Sequence, residues 1–292
     1  MHTYLRSVGF SLYKNDENIK KLLNELQEKY LDRALVVNGE NNDINWEIRA
    51  ELAPGMGLCL NGQVDGNGEF IRERYVPYLD SDEISSNVEC TIQRHVDNEV
   101  YSGMLDDNRV GISLIFRLDN AVDYLERRQK GLSVHTKGVQ LTAFSTKGKI
   151  LLPIKKNARQ RKMSEVANKT RDSLIEAAKK GDENAMESLT NEDMSLYSVI
   201  SRRMLKEDIY SIIDSCFMPQ GIECDLYSVI GDIVKMEEKK NLLTGEKVWD
   251  FLINCNDVLF HVAINNDDLQ GEPKIGRRFK GTIWMKGKAV WV

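Results

Sequence analysis

Residues 88–118 alternate with a period of two, and no other stretch restricts the fold as much. Val88, Cys90 and Ile92 interleave with Glu89, Thr91, Gln93 and, further along, His95. Val110, Ile112, Leu114, Phe116 and Leu118 interleave with Gly111, Ser113 and Arg117. Successive side chains of a strand point to opposite faces, so the pattern predicts two strands with one face on a core. Asp106, Asp107 and Arg109 occupy the polar turn between them.

The same period recurs upstream. Trp46, Ile48, Ala50 and Leu52 alternate with Glu47, Arg49 and Glu51, and Pro54-Gly55 breaks the chain. Leu58, Leu60 and Val64 lead into Asp65-Gly66-Asn67-Gly68, a hairpin signal because Asn and Gly accept positive φ. Residues 70–78 return as the partner strand. Ahead of these strands, Ile19, Leu22, Leu23, Leu26 and Tyr30 form a helical stripe over 16–32, with Asn15 and Asp16 as caps. After Leu118, a short helix carries Ala121, Val122 and Leu125. A strand at Val139–Ala143 is expected to turn at Thr146-Lys147-Gly148 into a second at 150–154. Short links favour antiparallel pairing, so the first 155 residues read as an α+β domain: an antiparallel sheet with flanking helices.

At Lys155, Lys156, Arg159, Arg161 and Lys162 apolar side chains nearly vanish, which marks a linker. Residues 156–221 then read as a helical connector. Lys179-Lys180-Gly181 ends one helix and Asp182 starts the next. Stripes follow at Tyr197, Ile200 and Met204, and at Ile209, Ile212, Ile213, Cys216 and Phe217. Residues 222–292 hold four or five short strands, the fourth at 279–285 and a fifth after Lys286-Gly287. They predict a small all-β, barrel-like C-terminal domain.

A charged fraction of 29% against 41% hydrophobic residues describes a globular chain, and a net charge of −5 gives no global footprint for nucleic acid. The five cysteines are odd in number and never in C-x-x-C spacing, which excludes a disulfide framework or zinc knuckle. No apolar run is long enough to span a membrane, and Met1–Arg6 lacks the start of a signal peptide. A cytoplasmic location without a membrane partner is expected.

Four long segments carry a resemblance: HTYLRSVGF, SGMLDDNRVGISLIF, EAAKKGDENAMESLTNEDM and GEPKIGRRFKGTIWMKG. They resemble an uncharacterised family of Firmicutes proteins, a domain of unknown function that spans a whole chain of this length. The resemblance implies a bacterial, cytoplasmic protein and brings no activity or catalytic residue.

Three chemistries merit weighing. His95 with Asp106, Asp107 and Arg109 can serve as an acid–base or metal site, although Asp-Asp-Asn is ordinary turn chemistry and Arg109 can simply pair with an aspartate. Arg277, Arg278, Lys280 and Trp284 combine cations with an aromatic face, as single-stranded RNA or DNA binders do. Lysines protecting an edge strand explain them equally. Cys216 and Cys255 lack a histidine at a diagnostic offset, His261 being the nearest, and buried free thiols are the plainer account. No phosphate-loop or dinucleotide motif is present, so no cofactor and no metal is expected. The helical middle offers amphipathic surface to an unknown protein partner, or packs between the β regions. The sequence therefore favours a non-catalytic interaction or regulatory protein, with an enzyme around His95/Asp106/Asp107 and nucleic-acid binding through the C-terminal strands as alternatives.

Overall fold

The computed structural model describes residues 2–38, 44–65, 67–94, 100–154, 158–221 and 224–292. A 3-10 helix, His2–Val8, leads into α1 (Asp16–Tyr30). Asn15 caps α1 by accepting the Glu17 amide, and Ile19, Leu22, Leu23 and Leu26 are its buried stripe. Four strands follow: β1 (Leu35–Asn38), β2 (Ile44–Ala53), β3 (Met56–Val64) and β4 (Phe70–Leu79). They make one antiparallel sheet in that order. At the β3–β4 turn, Asp65 accepts the amides of Asn67 and Glu69, and Gly68 has φ +86°. Gly66 lies outside the described residues.

The stretch 88–118 forms three strands, not two: β5 (Thr91–Arg94), β6 (Tyr101–Leu105) and β7 (Leu114–Leu118), an antiparallel meander. Residues 110–113 belong to the turn before β7. Next come α2 (Ala121–Gln129), β8 (Thr136–Leu151), α3 (Ala158–Lys179), α4 (Glu183–Met204) and the single turn α5 (Ile209–Ile212). Then follow β9 (Cys216–Pro219), β10 (Leu226–Lys240), β11 (Lys247–Cys255), β12 (Val258–Asn265), β13 (Leu269–Gln270) and β14 (Arg278–Trp291). Cys216 and Phe217 are thus strand, where a helical stripe was expected.

The expected small barrel-like C-terminal domain does not form. Strands β9–β14 merge with β5–β8 of the N-terminal half into one ten-stranded mixed sheet. The reason is β8, a 16-residue strand that runs through the expected turn at Thr146-Lys147-Gly148. It pairs antiparallel with β14 from Thr136↔Trp291 to Leu151↔Arg278 and parallel with β12 on its other edge. Strand β14 is likewise continuous through Lys286-Gly287, so its C-terminal portion is no separate strand.

Two cores result. Leu141, Ala143, Val229, Phe251, Phe260 and Phe279 represent the larger, within the ten-stranded sheet. In the second, the 3-10 helix (Leu5, Val8), α1 and the apolar side of β2–β4 meet Phe144, Val248 and Trp284 of the large sheet. The four-stranded sheet is thereby anchored to the ten-stranded one through shared buried side chains.

Candidate functional site

The turn between β6 and β7 carries the ionisable residues picked out above. Asp107 is 5% exposed and accepts Ser86 Oγ at 2.6 Å, the Arg109 amide at 3.1 Å and Arg109 Nε at 2.9 Å. Arg109 also donates to the carbonyls of Ser85 (2.9 Å) and Asp257 (2.6 Å). The pair therefore clamps this turn to the 85–86 segment and to the β11–β12 turn. Asp106 is exposed and accepts the Ser113 hydroxyl. His95 lies outside the described residues. Asp107 and Arg109 are brought together; Asp106 is not part of their cluster. Among the described residues no three His, Cys, Asp or Glu side chains converge as a metal site would need.

Burial alone would raise the Asp107 carboxyl, but bonds from Arg109 and Ser86 hold it below the ordinary aspartate value. A depressed carboxyl stabilises the fold above its unfolded pKa of about 3.9, and that stability drains as pH falls through the folded pKa. Asp107→Asn should therefore be less stable than the parent at pH 7, the gap narrowing toward pH 3. Urea titrations across that range check it; a gap that stays constant refutes the linkage.

The C-terminal set is likewise engaged in packing. Arg277 donates to the Glu272 carbonyl. Arg278 is buried and donates to the carbonyls of Leu152, Tyr210 and Ile213. Lys280 sits 4.1 Å from the Tyr210 ring centre. Trp284 is buried against Tyr4 and Phe144, with Nε1 bonded to Asp225 at 2.8 Å. Two of the four thus lie in the interior. The side chains of Arg159, Arg161 and Lys162, and all of Lys155 and Lys156, fall outside the described residues.

Cys255 donates to the carbonyls of Cys216 and Ile230, and burial pushes its thiol up to about 12. His261 stands opposite Leu252 and bonds Asp250 at 2.7 Å, not the cysteine.

Alternation in β2 hid a further cluster. Glu47, Asn61 and Arg74 stand in register across β2, β3 and β4, beside the row Arg49, Cys59 and Val76. This side of the sheet faces β6 and β7, so Glu47 is only 3% exposed. Arg49 Nε bonds Glu47 at 2.8 Å and Nη2 the Asp119 carbonyl at 3.2 Å. Lys286 of β14, fully buried, reaches Asp119 Oδ1 and the Pro77 carbonyl, both at 2.5 Å. Burial pulls the Lys286 ammonium below the ordinary lysine value, and Asp119 works against that. Arg117 lies over Trp284, its guanidinium lowered by burial and by Arg74. Asp119 Oδ2 accepts no hydrogen bond from the protein, and the neighbouring cavity of about 30 Å³ has room for a water or two. The sequence signal was available: ionisable residues at matching strand positions opposite a cysteine.

The helical hairpin has the opposite character. Gly181 at φ +90° ends α3, and Asp182 caps α4 through the amides of Asn184 and Ala185. Arg171 of α3 pairs with Glu192 and Asp193 of α4. Ala185 is the single buried residue of α4's 22. Met186, Met194, Tyr197, Met204 and Leu205 are exposed, Tyr197 by 75%. The expectation that these stripes pack between β regions fails for α4.

A family model described as "Domain of unknown function, E. rectale Gene description (DUF3881)" matches residues 5–287. The chain belongs to this family. No curated protein and no solved structure matches it. The DUF3881 match takes in both sheets and the α3–α4 hairpin, so the hairpin is part of the family's extent. Among the described residues of this DUF3881 protein, no helix is long and apolar enough to cross a membrane.

Proposed function

We propose that this DUF3881 protein is a non-catalytic interaction or regulatory protein that binds through its α3–α4 arm. One observation carries the reading: α4 and its C-cap Leu205 hold out Met186, Met194, Tyr197, Met204 and Leu205, side chains of core type, on a face that no part of the chain covers among the described residues. Among the described residues, Asp107, Arg109, Arg278, Lys286 and Cys255 are bonded within the fold. An exposed helix face that carries several large apolar side chains is what a helix-on-helix interface uses. The fitting partner is a chain presenting an amphipathic helix of its own.

Site-specific photo-crosslinking in the source cell tests this. A crosslinker at Tyr197 or Met194 should yield a discrete covalent adduct, while one at Lys137, exposed on β8, should not. Equal or absent adducts at the three positions would remove the support for the arm as a docking element.

A further inference from the structure

Taking the arm as the binding element, we infer that its partner is a second copy of this chain, with two α4 helices packed antiparallel about a two-fold axis. The stripe and its charges are self-complementary in that direction and in no other. At about 100° per residue, Glu183, Met186, Thr190, Met194, Tyr197, Ser201 and Met204 fall on one face, with Glu183 at its N-terminal end. That face points away from the side where Ala185 is buried and Glu192 meets Arg171, and the Asp193–Arg171 pair lies at its margin. An axis crossing α4 beside Met194 and Ser195 sets Met186 against Met204 of the second copy, and the two Met194 side chains against each other.

Charge then decides between orientations. Acidic Glu183 and Glu187 lie in the first half of α4 and basic Arg202 and Arg203 in its last turn. Glu187 and Arg202 occupy the same flank of the stripe, and the axis brings each against the other residue of the copy. Neither has an ion-pair partner among the described residues. A parallel arrangement puts each residue and its copy on opposite flanks and leaves Glu187 and Arg202 about 22 Å apart along the seam, so neither charge meets its opposite. Isologous contacts of this type close on themselves, so they give a dimer and not a filament. Thr190 and Ser201 are small enough for close helix approach, and the thioether side chains adapt to an irregular seam.

Sedimentation velocity on the purified full chain tests the dimer. At tens of micromolar the protein should sediment as a dimer, and Tyr197→Glu as a monomer with unchanged circular dichroism and melting. Glu187→Arg and Arg202→Glu should each weaken self-association by about ten-fold, since each places two like-charged pairs across the axis. An equimolar mixture of these two variants should dimerise again, because every pair in the mixed dimer is of opposite charge. A monomeric parent at about 100 µM, or a mixture no tighter than its components, overturns the inference. If the parent is monomeric yet crosslinks from Tyr197 to a different protein in cells, only the self-association fails. If that crosslink is also missing, the arm reading fails with it.

Discussion

Replacing Lys286 with methionine is expected to destabilise the protein by about 3–5 kcal/mol, the usual cost of removing one partner of a buried ion pair. Methionine matches the shape of the lysine stem, so packing against the Phe144 and Trp284 rings, each 5.6 Å from the ammonium, is largely kept. What is lost is charge. Asp119 Oδ1 and the Pro77 carbonyl both lose their donor, and Asp119 Oδ2 already lacks one. For a chain of this size the melting temperature should fall by roughly 6–15 °C. Adding Asp119→Leu should recover at least half of that loss, because the pair is then removed together. A single variant within about 1 kcal/mol of the parent would show that the ion pair is not desolvated as drawn. Such a pair fixes how the two sheets meet more than it adds to stability: Lys286 belongs to the ten-stranded sheet and Pro77 to the four-stranded one.

Arg278→Ala should cost a similar amount, about 3–5 kcal/mol, by a different route. The guanidinium is a planar fork, and its bonds to the carbonyls of Leu152, Tyr210 and Ile213 hold the exit of β8 and the foot of the helical arm to the start of β14. Lysine cannot supply that fork, so Arg278→Lys should recover little. Hydrogen exchange should report the loss locally, with amides of α5 and β9 gaining exchange ahead of those in β10 and β11. Uniform acceleration across the sheet would instead mean that Arg278 acts on global stability and does not anchor the arm.

How far the sequence discloses this molecule depends on the range of the forces involved. α1 was legible because its cap and its stripe are both local: Asn15 bonds within one turn, and Leu22, Leu23 and Leu26 repeat at helical spacing. The β11–β12 turn is equally local, with Asn256 and Asp257 both at positive φ. Gly148 and Gly287 misled because each was taken for a turn. A Cβ on Gly148 would lie 2.5 Å from the Phe279 ring, and one on Gly287 2.9 Å from the Phe116 ring. They are seats for aromatic rings inside long strands, and those rings come from 131 and 171 residues away along the chain. Glu47 and Arg49 misled in the same manner. Alternation tells which residues share a face, but not whether that face meets water or a second sheet. The turn at Asp106–Arg109 was located correctly as a charged bend; the clamp it forms with Ser85 and Asp257 depends on contacts far along the chain.

Strand β8 is complete at Leu151, yet its partners on both edges, β12 and β14, begin only at Val258 and Arg278. A ribosome adding about 5–20 residues per second takes roughly 7–30 s to travel from the end of β8 to the end of β14. Until β12 is made, a 16-residue ribbon containing Val139, Leu141, Phe144 and Leu151 lacks both flanking strands, its one earlier β-bridge among the described residues being that from Val139 to Ser86. Nascent chains of this protein thus emerge with an adhesive segment whose first flanking strand begins 107 residues later (258 − 151), and chaperone occupancy should peak while the helical arm is leaving the exit tunnel.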